Sequence, residues 1–229
     1  MTALPAPARL ALFDLDHTLL PLDSDYHWAA FLARNGRVGD PEAARARNEE
    51  LMQRYDAGLL TAVESAEFML GLLARNTPFD LALWHEEFMA EVIRPAIRPE
   101  AIDLARRHLE AGDLCAVVTS TNAFVTAPIA RAFGIPTLLA TDPEYVNGRH
   151  TGRISGTPCF REGKVVRVRE WLDGLGLPLA GFARSFFYSD SMNDVPLLEA
   201  VTDPVAVNPS AALRELARQR NWPILDLFA

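Results

Sequence analysis

Short apolar segments alternate with helical segments along most of this 229-residue chain, and this alternation restricts the fold more than any other feature. Strands that alternate with helices form parallel, doubly wound sheets. The apolar segments predict strands at 10–16, 114–120, 137–140, 185–188, 204–207 and 224–227. Helical spacing predicts helices at 100–111, 124–133, 163–175, 196–200 and 211–219. We therefore expect an α/β fold with a doubly wound parallel sheet, and a hairpin turn at Asn147-Gly148.

A purely helical segment interrupts the alternation after the first strand. Between about 25 and 97, apolar residues recur at helical spacing, as in Trp28, Phe31 and Leu32, which predicts helices that pack against one another. Pro95 and Pro99 are expected to close this segment. We predict an all-helical cap domain at 23–95, inserted into an α/β core domain that comprises 1–22 and 96–229.

Charge and composition exclude several classes of protein. The chain has 30 acidic and 22 basic residues, whereas a nucleic-acid-binding protein needs a basic face. No apolar run reaches the ~18 residues of a membrane span, and the first residues lack a signal-peptide pattern. Cys115 and Cys159 lack metal-ligand spacing and are expected to be buried thiols in a reducing compartment. These features predict a cytoplasmic protein that binds neither nucleic acid nor membranes.

Polar residues collect where the predicted strands end, and doubly wound sheets place their sites at this edge. They are Asp14, Asp16 and Thr18 after the first strand, Thr119 and Ser120 at the second, Asp190, Asn193 and Asp194 after the fourth, and Lys164 near a helix start. Lys164 is the only lysine beside 21 arginines. Because arginine supplies every other basic side chain, this single compact ammonium suggests a specific role.

The acidic residues of this group predict a bound cation. Asp14, Asp16 and Asp190 would crowd three carboxylates together, and such groups repel one another unless a cation lies between them. Mg²⁺ prefers oxygen ligands and often binds substrate phosphate as well. Together with Lys164, the ion would neutralise a phosphoryl group.

The same group also predicts a nucleophile. No histidine has a serine or cysteine partner that can be recognised in the sequence, so we expect Asp14 to attack and form an aspartyl-phosphate. Asp16 would protonate the leaving alcohol and then accept a proton from the hydrolytic water. Thr119 and the backbone N–H of Ser120 would donate hydrogen bonds to the phosphoryl oxygens.

The segments FDLDHT, VVTS, Lys164 and SDSMND resemble, in order, the four motifs of the haloacid dehalogenase superfamily. The helical insertion resembles the cap of its phosphoserine-phosphatase-like branch, and the resemblance extends over about 10–207. It implies a Rossmann-like core and phosphatase chemistry, because dehalogenases lack an acid at the position of Asp16. The ligands that it implies are Asp14, the backbone carbonyl of Asp16 and Asp190 for Mg²⁺, Thr119 and Lys164 for phosphate, and Asn193 and Asp194 in support.

The resemblance also bears on the substrate. Asp23 lies five residues after Thr18, at the spacing of a family glutamate that contacts a substrate amine, although it could equally cap a helix. Asp25 adds a second carboxylate, and no arginine occupies the cap position of the family's carboxylate clamp, near Glu67 and Met69. This pattern favours an amino-alcohol phosphate such as histidinol phosphate over phosphoserine. The predicted substrate and phosphate contacts are Thr18, Thr119, Ser120, Asn193 and Asp23.

Some residues depart from the family pattern, and other functions stay open. His17 replaces a small residue, so its side chain is expected to need room near the site. Ser189 and Ser191 replace glycines. A phosphotransferase to another alcohol, a receiver-like signalling module with a phosphorylated aspartate, and a non-catalytic binding relative are the alternatives.

Overall fold

The computed structural model describes residues 9–56, 59 and 62–228. Within these residues the strands form one sheet in the order β4-β3-β2-β1-β5-β6-β7. All neighbouring strands are parallel except β3 and β4, which are antiparallel. The strands are β1 (Arg9–Phe13), β2 (Leu114–Asn122), β3 (Thr137–Val146), β4 (Arg149–Ser155), β5 (Arg184–Ser189), β6 (Asp203–Val207) and β7 (Ile224–Leu225). The predicted doubly wound sheet is therefore confirmed.

The helices fall into two groups along the chain. Those between β1 and β2 are α1 (Ser24–Arg34), α2 (Pro41–Asp56), α3 (Ala62–Ala74), α4 (Pro78–Phe88), a π-helical turn (Met89–Ile93), α5 (Arg94–Ala96) and α6 (Pro99–Glu110). Those after β2 are α7 (Ala123–Ala132), α8 (Glu162–Gly174), α9 (Val195–Leu198) and α10 (Ala211–Arg220), with short 3₁₀ turns at Leu179–Gly181 and Met192–Asp194. The insertion after the first strand is all-helical in its described residues, as predicted. Its division from the core at 23 and 95 remains a prediction, and 1–8, 57–58, 60–61 and 229 lie outside the described residues.

Some element ends differ from the sequence-based prediction. The strand predicted at 10–16 ends at Phe13, because the chain then turns and the Leu15 carbonyl accepts hydrogen bonds from three following N–H groups. The strand predicted at 114–120 continues to Asn122, whose side chain accepts a hydrogen bond from Val125 N–H and caps α7. The predicted hairpin turn at Asn147-Gly148 is confirmed, with φ values of 50° and 78°.

Pro95 lies inside the last helical turn of the insertion instead of ending it. Proline has no N–H to continue an α-helical ladder. Just before it, the chain forms the π-helical turn, in which Arg94 N–H bonds the Met89 carbonyl. The helix ends at Ala96, and Pro99 then opens α6 at a position where no N–H is needed.

Apolar layers cover both faces of the central strand. Leu10 and Leu12 pack with core residues of α8 and α10, while Ala11 and Phe13 pack with residues that include Trp28 of α1. A strand buried on both faces is typical of parallel sheets. No helix among the described residues is long and apolar enough to cross a bilayer.

Gly163 allows a close backbone approach at the start of α8. A Cβ atom on this residue would lie 2.0 Å from the carbonyl oxygen of Pro158. Since the clash is with backbone rather than with a flexible side chain, the loop or the helix would have to move. The contact therefore fixes the start of α8, where Lys164 follows directly.

We expect Gly163→Ala to lower the free energy of unfolding by about 2 kcal/mol, because the added methyl overpacks a backbone contact. Gly174→Ala, in the last position of the same helix, is the matched control. Nothing lies within 4 Å of its Cβ, so the substitution should be neutral or slightly stabilising. Urea denaturation measures both, and equal effects would contradict the assigned contact.

Candidate active site

The site lies at the carboxyl edge of the sheet, where β1 runs between its parallel neighbours β2 and β5. Asp14 follows β1 directly, and its N–H continues the ladder by bonding the Tyr188 carbonyl of β5 at 2.9 Å. Thr119 lies on β2 and Asp190 follows β5. The carboxyl ends of β1, β2 and β5, which are distant in sequence, thus lie side by side at this edge of the sheet.

Lys164 is the charge centre of the site. Its Nζ donates to Asp14 Oδ1 and to Asp194 Oδ2, each at 2.8 Å. The lysine is only 2% exposed, and the two aspartates are similarly buried. Burial by itself lowers the pKa of Lys164, but the adjacent Asp14 and Asp194 carboxylates outweigh it and raise that pKa above its usual value. The side chain is therefore a permanent ammonium.

Asp190 completes a group of three crowded carboxylates. The Thr18 hydroxyl lies 3.0 Å from Asp14 Oδ2 and 3.4 Å from Asp190 Oδ1, so both carboxylates are within reach of one side chain. Burial, followed by repulsion from Asp14 and Asp194, raises the pKa of Asp190 to about 8. Burial also raises the pKa of Asp194 to about 6, against the lowering effect of Lys164. One ammonium does not balance this much negative charge.

The crowded group differs from the predicted one in a single member. The sequence suggested Asp14, Asp16 and Asp190, whereas the structure places Asp194 in the third position. The two carboxylate oxygens of Asp16 instead accept hydrogen bonds from Ser24 N–H and the Thr121 hydroxyl.

The carboxylates fit a hard divalent cation. Mg²⁺ prefers carboxylate and carbonyl oxygens and usually keeps several waters. Among the described residues, no three His, Cys, Asp or Glu side chains converge in a metal-binding arrangement. The predicted set needs no such triplet, since it takes two carboxylates, of Asp14 and Asp190, and the backbone carbonyl of Asp16. Asp190 also has no ion-pair partner in the described part of the chain, so a bound cation would stabilise its ionised form against the repulsion that raises its pKa.

Asp16 links the sheet to the helical insertion. Its Oδ1 accepts a hydrogen bond from the backbone N–H of Ser24, the first residue of α1, and its Oδ2 accepts one from the Thr121 hydroxyl of β2, both at 2.8 Å. Burial and then the charge of Asp23 raise the pKa of Asp16 to about 6, although these hydrogen bonds lower it. Such a carboxyl group exchanges protons near neutral pH. Sequence reasoning missed Thr121 as a partner, because a hydroxyl one residue beyond the predicted strand gives no signal of its own.

Thr119 and Ser120 face different surroundings. Thr119 is buried, and its hydroxyl accepts a hydrogen bond from Thr121 N–H at 3.2 Å. Ser120 is exposed and lines the cavity described below. Both lie on the site's edge of β2, as predicted.

The segment SDSMND supplies internal hydrogen bonds as well as acids. The Ser189 hydroxyl donates to Asp194 Oδ2 at 2.7 Å, and Ser191 caps the short helical turn by accepting from Asn193 N–H. The Asn193 side chain accepts from Arg161 Nε at 3.2 Å. The structure therefore places Asp194 at the charge centre, whereas Asn193 bonds an exposed arginine.

His17 does not need room in the site. It has a left-handed backbone, with φ of 58°, and its side chain is exposed. Its carbonyl accepts a hydrogen bond from Asn208 at 3.0 Å, which holds this conformation.

The two free cysteines, Cys115 and Cys159, are buried as expected, and burial raises the pKa of each thiol to about 12.

A cavity of about 90 Å³ lies between the helical insertion and the sheet edge. Its wall on the insertion side contains the predicted Asp23 and Asp25, and its wall on the core side includes Thr121, Pro158 and Phe160. No lysine or arginine occurs among its described lining residues. Asp23 caps α1, because its Oδ1 accepts a hydrogen bond from Tyr26 N–H at 2.7 Å, and it also lines the cavity. Its contact with a substrate amine stays a prediction.

Comparison with known proteins gives a consistent result. Residues 11–199 match the haloacid dehalogenase-like hydrolases. The chain is 43% identical over 219 residues to a histidinol-phosphatase of Neisseria meningitidis, covering 95% of this chain and 98% of that protein. It is 34% identical over 221 residues to a phosphoserine phosphatase of Mycobacterium tuberculosis, covering 94% and 70%. A crystal structure of a Bordetella pertussis protein of unknown function superimposes with a TM-score of 0.95 at 68% identity, covering 97% and 100%.

We expect Lys164→Met to lower the free energy of unfolding by about 3 kcal/mol, because it leaves Asp14 and Asp194 buried without their counter-charge. Arg220→Met is the control, since it removes an exposed ion pair with Glu199 and should change stability little. Chemical denaturation at pH 7 compares the two. A Lys164 variant as stable as the wild type would contradict the buried charge centre.

Proposed function

The chain belongs to the haloacid dehalogenase-like hydrolases, and from this membership we propose that it is a Mg²⁺-dependent phosphatase that hydrolyses a small phosphomonoester through an aspartyl-phosphate on Asp14. The observation that carries the proposal is the buried ammonium of Lys164 on one oxygen of this aspartate. A carboxylate held in this way is oriented for attack, and the ammonium next to it can bind phosphoryl oxygens.

The geometry supports a two-step reaction. A carboxylate oxygen of Asp14 attacks phosphorus, and the bond from phosphorus to the alkyl oxygen breaks. Asp16 gives its proton to the departing alkoxide, which leaves as the alcohol. Asp16 then accepts a proton from the water that attacks the aspartyl-phosphate, so that inorganic phosphate and the free Asp14 carboxylate result. A pKa of about 6 for Asp16 suits a group that must both give and take a proton.

The other residues of the site bind and orient. Asp14, Asp190 and the backbone carbonyl of Asp16 would hold Mg²⁺, which when bound supplies positive charge to the phosphoryl oxygens. Lys164 and Thr119 would bind the phosphate, with Ser120 donating its N–H. Asp194 accepts the second hydrogen bond of the lysine and so helps to hold it in place.

The cavity supports histidinol phosphate as the substrate. This alcohol phosphate carries an ammonium group, which suits a wall that contains Asp23 and Asp25. It also carries a flat imidazole ring, for which Met69, Pro158 and Phe160 offer an apolar surface. Phosphoserine would instead bring its carboxylate next to two others, without a basic side chain among the described lining residues. The likeness to the Neisseria meningitidis histidinol-phosphatase points the same way.

We expect Asp14→Asn to abolish hydrolysis of p-nitrophenyl phosphate with Mg²⁺ while the protein stays folded, because Lys164 keeps its bond to Asp194. Asp173→Asn, on the exposed end of α8, makes the same chemical change and should retain wild-type activity. Steady-state assays and thermal melts measure both effects.

Undiminished activity of Asp14→Asn would refute the nucleophile. A receiver-like module would show no sustained turnover in the wild type. A phosphotransferase would give phosphorylated products when acceptor alcohols are added.

For the substrate, we expect kcat/KM for L-histidinol phosphate to exceed that for L-phosphoserine by at least about 100-fold, because placing like charges side by side costs several kcal/mol. p-Nitrophenyl phosphate, which carries neither an amine nor a carboxylate, serves as the reference substrate. A preference for phosphoserine would overturn the assignment and leave the phosphatase chemistry intact.

A further inference from the structure

Asn48 of α2 lines the cavity and carries a buried, unsatisfied acceptor. The side chain is 3% exposed and lines the cavity wall. Its Nδ2 donates to the Tyr26 carbonyl at 3.1 Å, and because a carbonyl can only accept, this bond fixes which way the amide faces. The Oδ1 atom is buried and has no hydrogen-bond partner among the described residues. A buried acceptor of this kind calls for a donor from outside the described residues.

Asp25 is held facing the same cavity. Its Oδ1 accepts a hydrogen bond from Asn122 Nδ2 at 2.8 Å, and Asn122 Oδ1 in turn accepts from Val125 N–H at 3.1 Å. The amide of Asn122 is therefore fixed in orientation by the α7 backbone. Although Asp25 lies in the first turn of α1, its carboxylate bonds the end of β2, on the core side of the cavity.

Two neighbouring acids, Asp23 and Asp16, add negative charge around Asp25 and favour a cation in the cavity. Asp23 uses one oxygen to cap α1, and Asp16 bonds Ser24 and Thr121. Burial, followed by repulsion from Asp23 and Asp16, raises the pKa of Asp25 well above its ordinary value. A ligand cation in the cavity would relieve this repulsion, and an N–H cation would also satisfy Asn48.

We propose that Asn48 and Asp25 together bind the amine of the substrate's alcohol: Asn48 Oδ1 accepts a hydrogen bond from it, and Asp25 pairs with its charge. The proposal rests on the phosphatase function given above and adds the residues that select the alcohol. Among the described residues, no hydrogen bond or ion pair joins either residue to Asp14 or Lys164, so the pair should govern KM and substrate choice rather than the chemical step.

The test compares L-histidinol phosphate with its desamino analogue, 3-(imidazol-4-yl)propyl phosphate. For the wild type we expect kcat/KM to favour the amine by at least about 100-fold, because the analogue leaves buried polar groups unpaired. Asn48→Leu and Asp25→Asn should each reduce this preference at least about tenfold by raising KM for histidinol phosphate, with the analogue nearly unaffected. Glu50→Gln, an exposed acid on the same helix as Asn48, is the charge-matched control for Asp25→Asn and should keep the wild-type preference.

The possible results distinguish failure of the proposed amine site from failure of the proposed substrate. Equal losses on both substrates in Asn48→Leu would assign the residue a structural role and overturn its part in recognition. If that variant does not fold, Asp25→Asn and the wild-type preference still test the pair, and a wild type indifferent to the amine overturns the proposal outright. If the wild type hydrolyses p-nitrophenyl phosphate but neither imidazole compound, the proposed substrate fails separately. Phosphoethanolamine against ethyl phosphate, in wild type and Asp25→Asn, then tests amine binding alone.

Discussion

The buried ammonium of Lys164 is the interaction on which the site depends. It holds Asp14 and Asp194 together at the edge of the sheet, where two carboxylates would otherwise repel each other. Both acids belong to segments fixed by the fold, one directly after β1 and one after β5, so the lysine also ties the ends of two strands to α8. The same two ion pairs therefore balance the charge of the site and hold these elements together.

A second link connects this centre to the helical insertion. Asp16 receives one hydrogen bond from the first residue of α1 and one from the end of β2, and Asn122 of that strand bonds Asp25 of α1. Asp16, the proposed general acid and base, and Asp25, the proposed ligand of the substrate amine, are thus held by the same two elements. The position of α1 on the sheet edge would therefore affect both proposed roles.

The sequence predicted those parts of the site that follow from strand order. Asp14 and Asp190 directly follow parallel strands, Thr119 lies near the carboxyl end of a third, and the single lysine stood out against an arginine background, so their convergence could be inferred. Thr121 and Asn48 could not be found, because their roles depend on partners about 105 and 22 residues away that no local pattern reveals. The early end of β1 could not be predicted either. The tight turn around the Leu15 carbonyl is made by backbone groups, which every residue type carries.

The close contact between Gly163 and the Pro158 carbonyl has an evolutionary consequence. The same loop that presses on the start of α8 supplies Pro158 and Phe160 to the cavity wall. Any change of loop shape on that side would therefore also displace the lysine that follows the glycine. Relatives that diverge toward other alcohols are accordingly expected to vary on the opposite wall, in the helices of the insertion, while this corner of the core stays almost unaltered.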